Sequence, residues 1–161
     1  MSEVIRVGMG EYAIARAPGQ IVTLGLGSCV GVTFYDPVLK LGGMVHIMLP
    51  DSGAARGREN NPAKFADTAI PFLLAEMERH GAVRERLVVK MVGGAQMFST
   101  LDKTRESIGL RNVAAVEEAL REAGLTVAAK SVGGTQGKSV SFDLETGEIR
   151  LRTVQVDSLP L

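Results

Sequence analysis

Residues 21–50 read Ile21-Val22-Thr23-Leu24-Gly25-Leu26-Gly27-Ser28-Cys29-Val30-Gly31-Val32-Thr33-Phe34-Tyr35-Asp36-Pro37 and then, after a short interval, Gly42-Gly43-Met44-Val45-His46-Ile47-Met48-Leu49-Pro50. Alternation of period two runs through this stretch three times, which is the pattern of a β-strand. Val22, Leu24 and Leu26 alternate with Ile21, Thr23 and Gly25. Val30, Val32 and Phe34 alternate with Cys29, Gly31, Thr33 and Tyr35, and Val45, Ile47 and Leu49 alternate with Met44, His46 and Met48. If each apolar trio faces a core, Thr23, Cys29 and His46 project together from the opposite face. Gly25-Leu26-Gly27-Ser28 interrupts the pattern, and a bulge there would shift the register.

Outward from this stretch, residues 4–16 read as a strand, a turn at Gly8–Gly10 and a second short strand over Glu11–Arg16; Ala17-Pro18-Gly19-Gln20 is a turn. Asp51–Asn61 is a polar loop of mixed charge containing Arg56, Arg58 and Glu59. Asn61-Pro62 suits a helix start, and a helix is expected to about His80 with Phe65, Ala69, Leu73 and Met77 as its apolar stripe. Pro71 lies inside it and should kink or split it. Leu87–Val92 reads as a strand, 95–107 as loop, Leu110–Ala123 as a second helix burying Val113, Val116 and Leu120, and Leu125–Val132 as a strand. Ser139–Leu144 and Glu148–Thr153 form a hairpin about Thr146-Gly147, with Val140, Phe142, Ile149 and Leu151 pointing inward. Val154–Leu161 carries no usable pattern. Strands at both ends with two helices between them imply an α+β fold of mainly antiparallel sheets, one domain over residues 1–161.

Composition narrows the function classes. The chain is 161 residues long, 45% hydrophobic, 22% charged and formally uncharged, with a single cysteine and two histidines. Zero net charge disfavours nucleic acid or an anionic membrane as the main target. No apolar run is long enough to span a bilayer, and Met1–Arg6 lacks the pattern of a signal peptide. One cysteine forms no internal disulfide, so a reducing, cytoplasmic setting is expected.

Two glycine-rich segments fall short of nucleotide motifs. Gly25-Leu26-Gly27-Ser28-Cys29-Val30 has Val30 where G-x-G-x-x-G requires its third glycine. Gly133-Gly134-Thr135-Gln136-Gly137-Lys138-Ser139 has three residues rather than four between the glycines of a P-loop, and a strand pattern follows. Cys29, His46, His80 and the carboxylates show no metal-ligand spacing, so neither metal nor cofactor is expected. His80 suits the C-terminus of a helix.

Taken singly, Cys29 fits a small buried hydrophobe, and His46 and Thr23 fit ordinary strand positions. Taken together they make another chemistry available. A histidine on a neighbouring strand can deprotonate a thiol, and a hydroxyl or carbonyl can hold the imidazole in one tautomer. Asp36 and Asp51 are alternative orienters. The turn before the thiol offers backbone N–H groups around Gly27, Ser28 and Cys29 as oxyanion donors, Gly27 and Ser28 first among them.

At these residues the chain resembles the CheD family of chemoreceptor glutamine deamidases. The likeness lies in Thr23-Leu24-Gly25-Leu26-Gly27-Ser28-Cys29-Val30, in Gly42–Gly53 with its His46-Ile47-Met48-Leu49-Pro50, and in Gly10-Glu11-Tyr12. It continues through Asn61–Asp67, Gly93–Phe98, Ile108–Asn112 and Gly133-Gly134. The resemblance implies a Cys29–His46–Thr23 site and an α/β sandwich similar to the catalytic domain of cytotoxic necrotizing factors. It implies conversion of receptor glutamines to glutamates with release of ammonia, receptor methylesterase activity in some members, and binding to the phosphatase CheC. Gly25, Gly31, Met44 and Met48 would then line an adaptable groove for a receptor helix. The alternative is a non-catalytic module that docks on a CheC-type phosphatase or on receptors.

Overall fold

The computed structural model describes residues 3–55, 60–96 and 107–153. Nine strands and two helices follow in the order β1 (Val4–Arg6), β2 (Tyr12–Arg16), β3 (Gln20–Leu26), β4 (Val30–Asp36), β5 (Leu41–Ile47), α1 (Ala66–Arg79), β6 (Val88–Gly93), α2 (Ile108–Glu122), β7 (Val127–Val132), β8 (Lys138–Asp143) and β9 (Ile149–Thr153). They build two sheets, one of order β1-β3-β8-β9 and one of order β2-β5-β4-β6-β7. Only β1 with β3 and β6 with β7 are parallel; the other pairs are antiparallel. The expected α+β sandwich with helices outside is the observed architecture.

The five-stranded sheet is the middle layer, and that explains why β4 and β5 are buried along their whole length. Val30, Val32, Phe34, Val45 and Ile47 face the helices and pack with Leu73, Met77, Val116 and Leu120. Tyr35 and Met44 face the four-stranded sheet and pack with Ile21, Leu26, Val140 and Phe142. Each fully buried side chain of this size contributes about 1.5–3 kcal/mol by leaving water, so both faces of the middle sheet are fixed in register. The Tyr35 hydroxyl, donating to Leu144 O at 2.6 Å, ties the sheets together.

Two expectations about the strands change here. In β3 the inward residues are Ile21, Thr23 and Leu26, while Leu24 is 58% exposed. The run Val22-Leu24-Leu26 therefore does not face the core as a set. Gly25 adopts φ +64°, and the register with β8 shifts between Thr23 and Leu26. This bulge turns Leu26 inward, at a backbone angle that glycine alone adopts freely. Strand β3 also lies in a different sheet from β4 and β5, so the three strands do not share one face; two faces confront each other instead.

The expected helix from Asn61 is two elements. Asn61 caps a 3₁₀ turn over Pro62–Lys64, Phe65 is extended and bridges Leu49, and α1 starts at Ala66. The break thus falls at Phe65, and α1 runs unbroken through Pro71, which is exposed in its second turn. Leu151 is 45% exposed because β9 is an edge strand. The segments 56–59, 97–106 and 154–161 lie outside the described residues, and with them most of the two expected loops and the final residues.

Candidate active site

The two sheets meet at Thr23 and His46. Thr23 comes from β3 and is 1% exposed; His46 comes from β5 and is 2% exposed. Thr23 Oγ1 lies 2.8 Å from His46 Nδ1 and 2.6 Å from Val7 O. A carbonyl only accepts and a hydroxyl has one proton, so the Thr23 O–H donates to Val7 O. Oγ1 must then accept from His46 Nδ1–H, which leaves the lone pair of the imidazole on Nε2. Among the described residues His46 Nε2 is buried without a partner. A buried imidazole nitrogen held as a free acceptor is costly in structural terms and is what a general base requires.

The backbone around His46 is pinned as well. His46 N–H donates to Glu11 O at 3.0 Å, and Gly10 N–H donates to His46 O at 2.9 Å. The ring thus sits in a strand bonded on both edges, since β5 also pairs with β4, where His46 opposes Gly31.

Cys29 precedes β4 and is partly exposed. Its side chain packs on the core between the sheets, the layer that holds Thr23 and His46. It stands two residues from Gly31, the partner of His46, and so occupies the diagonal cross-strand position. Such neighbours lie about 7–8 Å apart between backbones, within reach of a thiol and an imidazole. Gly31 places no side chain between them; a Cβ there would come within 3.2 Å of Leu26 Cδ1.

Burial pushes the Cys29 thiol pKa up. Burial likewise pushes the His46 pKa down, opposed by the Glu11 carboxylate. Both shifts favour the uncharged forms, thiol and neutral imidazole.

The turn before Cys29 is held by its carbonyls. Gly27 O accepts from Ala95 N–H at 2.8 Å, Cys29 O from Gly94 N–H at 2.8 Å, and Ser28 O from Asn112 Nδ2 at 2.9 Å. Asn112, on α2, also donates to Met48 O at 3.0 Å and is fully buried. The sequence reading missed Asn112 and the Val7 carbonyl. The signal for Asn112 was available: it is spaced four residues from Val116 and eight from Leu120, which puts a poor helix former on the buried stripe of α2.

Other candidates are placed elsewhere. Asp36 is engaged by Arg86 and by the N–H groups of Val38, Leu39 and Val83, and Asp51 accepts from Gly53 N–H at 2.8 Å, so neither orients His46. Met44 and Gly31 are buried and do not line an open groove. Gly133-Gly134 turns from β7 toward β8, with Gly133 N–H bonded to Gly93 O and no helix following. His80 caps α1. Among the described residues no group of three or more His, Cys, Asp or Glu is placed to hold a metal ion, and no helix is long and apolar enough to cross a membrane.

Comparison with known proteins gives the family of the chain. The family model described as CheD chemotactic sensory transduction matches residues 48–153. The probable chemoreceptor glutamine deamidase CheD of Desulforamulus reducens is 48% identical over 151 residues, covering 93% of this chain and 90% of its own. The chemoreceptor glutamine deamidase CheD of Halalkalibacterium halodurans is 48% identical over 155 residues, 96% of both chains. That of Thermotoga maritima is 47% identical over 148 residues, covering 92% of this chain and 90% of its own. A solved structure, the Bacillus licheniformis hypothetical protein YfiH, matches at TM-score 0.44 and 15% identity, covering 74% of this chain and 49% of that one. On its matched span and on these relatives, the chain belongs to the CheD family.

Proposed function

We propose that this protein deamidates glutamines of chemoreceptors, with Cys29 as nucleophile, His46 as general base and acid, and Thr23 as the residue that orients His46. The observation that carries the reading is the relay from Val7 O through Thr23 to His46 Nδ1, which leaves Nε2 unpartnered on the strand paired with the one that follows the partly exposed Cys29. The names of the relatives supply the substrate class. The Cys29 S–H proton passes to His46 Nε2 as sulfur attacks the side-chain amide carbon of glutamine. The carbonyl oxygen becomes an oxyanion, received by N–H groups of the Gly27–Cys29 turn. Collapse breaks the C–N bond, and His46 Nε2–H protonates the departing ammonia. His46 then takes a proton from water, which attacks the thioester; glutamate leaves and the thiol is restored.

Burial favours the uncharged form of both groups, which on this reading has the proton transfer accompany attack rather than precede it. The substrates on this reading are cytoplasmic receptor helices, the setting is cytoplasmic, and residues 1–161 act as one deamidase domain. A CheC-type phosphatase as partner belongs to the same proposal, on the resemblance alone.

The test mixes the protein with a receptor cytoplasmic fragment and follows amide-to-acid conversion by peptide mass spectrometry. Cys29→Ala is expected to abolish conversion, and Thr23→Val to lower kcat on the order of 10²-fold. Conversion by Cys29→Ala at the wild-type rate would end the proposal.

A further inference from the structure

Three consecutive carbonyls, those of Gly27, Ser28 and Cys29, are each fixed by a donor outside the turn. Two of the donors are backbone amides of Gly94 and Ala95; the third is a side chain, that of Asn112. Among the described residues neither the Ser28 nor the Cys29 N–H has an acceptor. The only cis peptide among the described residues is Ala17–Pro18, so the Ser28–Cys29 peptide is trans. In a trans peptide the N–H points opposite to the C=O of the same unit. Asn112 reaches Ser28 O from α2, on the helix side of the middle sheet. The Cys29 N–H therefore points away from the Asn112 carboxamide that holds Ser28 O. The same carboxamide holds Met48 O, two residues after His46.

We propose that Asn112 is a positioning residue for the reaction. Its carboxamide clamps Ser28 O and Met48 O, presents the Cys29 N–H as the oxyanion donor, and locks the nucleophile's turn to the strand that carries His46. The proposal rests on the reading of Cys29 as nucleophile. It assigns the donor role to the amide of Cys29 itself, through a side chain that touches neither substrate nor thiol. A merely structural Asn112 would satisfy two buried carbonyls, and its loss would disturb every property of the site alike.

The discriminating experiment compares two reactions of one thiol. Alkylation by iodoacetamide develops no oxyanion on a carbonyl carbon, whereas deamidation does. In Asn112→Asp and Asn112→Ala, kcat for deamidation of a receptor fragment is expected to fall roughly 10²-fold with KM within about 3-fold, while the alkylation rate of Cys29 stays within about 3-fold of wild type. Equal losses in both reactions, or unchanged deamidation, would overturn the proposal.

Should both variants fail to fold by thermal unfolding, the wild-type protein decides. A receptor peptide carrying glutamate γ-semialdehyde in place of the target glutamine forms a thiohemiacetal, a new S–C bond with the carbonyl oxygen turned into a tetrahedral alkoxide or hydroxyl. The ¹⁵N-resolved amide proton of Cys29 is expected to move downfield on adduct formation. An adduct on Cys29 with an unmoved amide sinks the role of Asn112 and spares the nucleophile. No adduct on Cys29 sinks both.

Discussion

A single hydroxyl sets the chemistry of His46. Thr23 has one proton to give, and Val7 O takes it, so the imidazole must donate from Nδ1 and keep Nε2 open. No carboxylate is needed to fix this tautomer, and the two nearest sequence candidates, Asp36 and Asp51, are committed elsewhere. The pH dependence follows from burial. On the proposed mechanism His46 acts as a base only when neutral, and burial lowers its pKa, so activity is expected to be lost on acidification only below the ordinary imidazole range of about 6.5. Burial raises the Cys29 pKa, so alkylation should keep rising with pH beyond the ordinary thiol range of about 8.5. Deamidation and alkylation profiles measured side by side check this. A deamidation limb at pH 7 or above, or an alkylation plateau near neutrality, would show a preformed ion pair instead.

Among the elements, the ends of β4 and β6 are the most constrained. Gly93 closes β6 at φ +116°, and a Cβ on it would lie 2.3 Å from Cys29 O. The backbone of β6 thus touches the carbonyl of Cys29, and Gly94 N–H bonds to it. Gly93→Ala combines a strained angle with an immovable backbone contact, and is expected to cost about 2–3 kcal/mol and to slow alkylation of Cys29 by moving it. Gly124→Ala is the control, also at positive φ but with nothing within 4 Å, and should cost about 1 kcal/mol and leave reactivity alone. Thermal unfolding and iodoacetamide kinetics of the two variants separate the effects. Element positions were largely legible in the sequence: the nine strands and two helices fall within a few residues of the periodic segments. What was not legible was the break at Phe65, because the bridge from Leu49 that makes Phe65 extended is a tertiary contact. The inversion of β3 was hidden for a related reason, since exposure of Leu24 depends on which layer covers β3.

The molecule as a whole is three layers, and the proposed site draws on all of them. Thr23 belongs to the outer sheet, Cys29 and His46 to the middle sheet, and Asn112 to the helix layer. Layer alignment is therefore a functional property, and the Asp36–Arg86 pair is one of its anchors. Arg86 Nη2 lies 2.8 Å and Nε 3.0 Å from the carboxylate oxygens, at the far end of β4 from Cys29. Burial alone would raise the Asp36 pKa, but Arg86 and the three backbone amides outweigh it and hold it at about 2. The folded pKa lies below that of the unfolded chain, so the stabilisation is full above about pH 4 and is lost as pH falls toward 2. Arg86→Ala strands a fully buried carboxylate with only its amide partners and should cost about 2–3 kcal/mol near neutrality, with a smaller deficit at pH 2–3. Denaturant unfolding at the two pH values measures it. An equal deficit at both would mean that the pair contributes packing rather than charge.

By itself the sequence determined the strands, the α+β class and the identity of Cys29, His46 and Thr23 as candidates, because alternation and glycine turns are local properties of the chain. Only the tertiary structure decided that Thr23 comes from the opposing sheet, that Val7 O settles the tautomer of His46, and that Asn112 holds the turn of Cys29. Those are contacts over 16, 23 and 84 residues of chain, created when both faces of the middle sheet bury themselves at once. The buried stripe of α2 marks where Asn112 sits, but the partners of these hydrogen bonds leave no periodic trace, since the bond that selects a proton's position depends on what the second layer places opposite it.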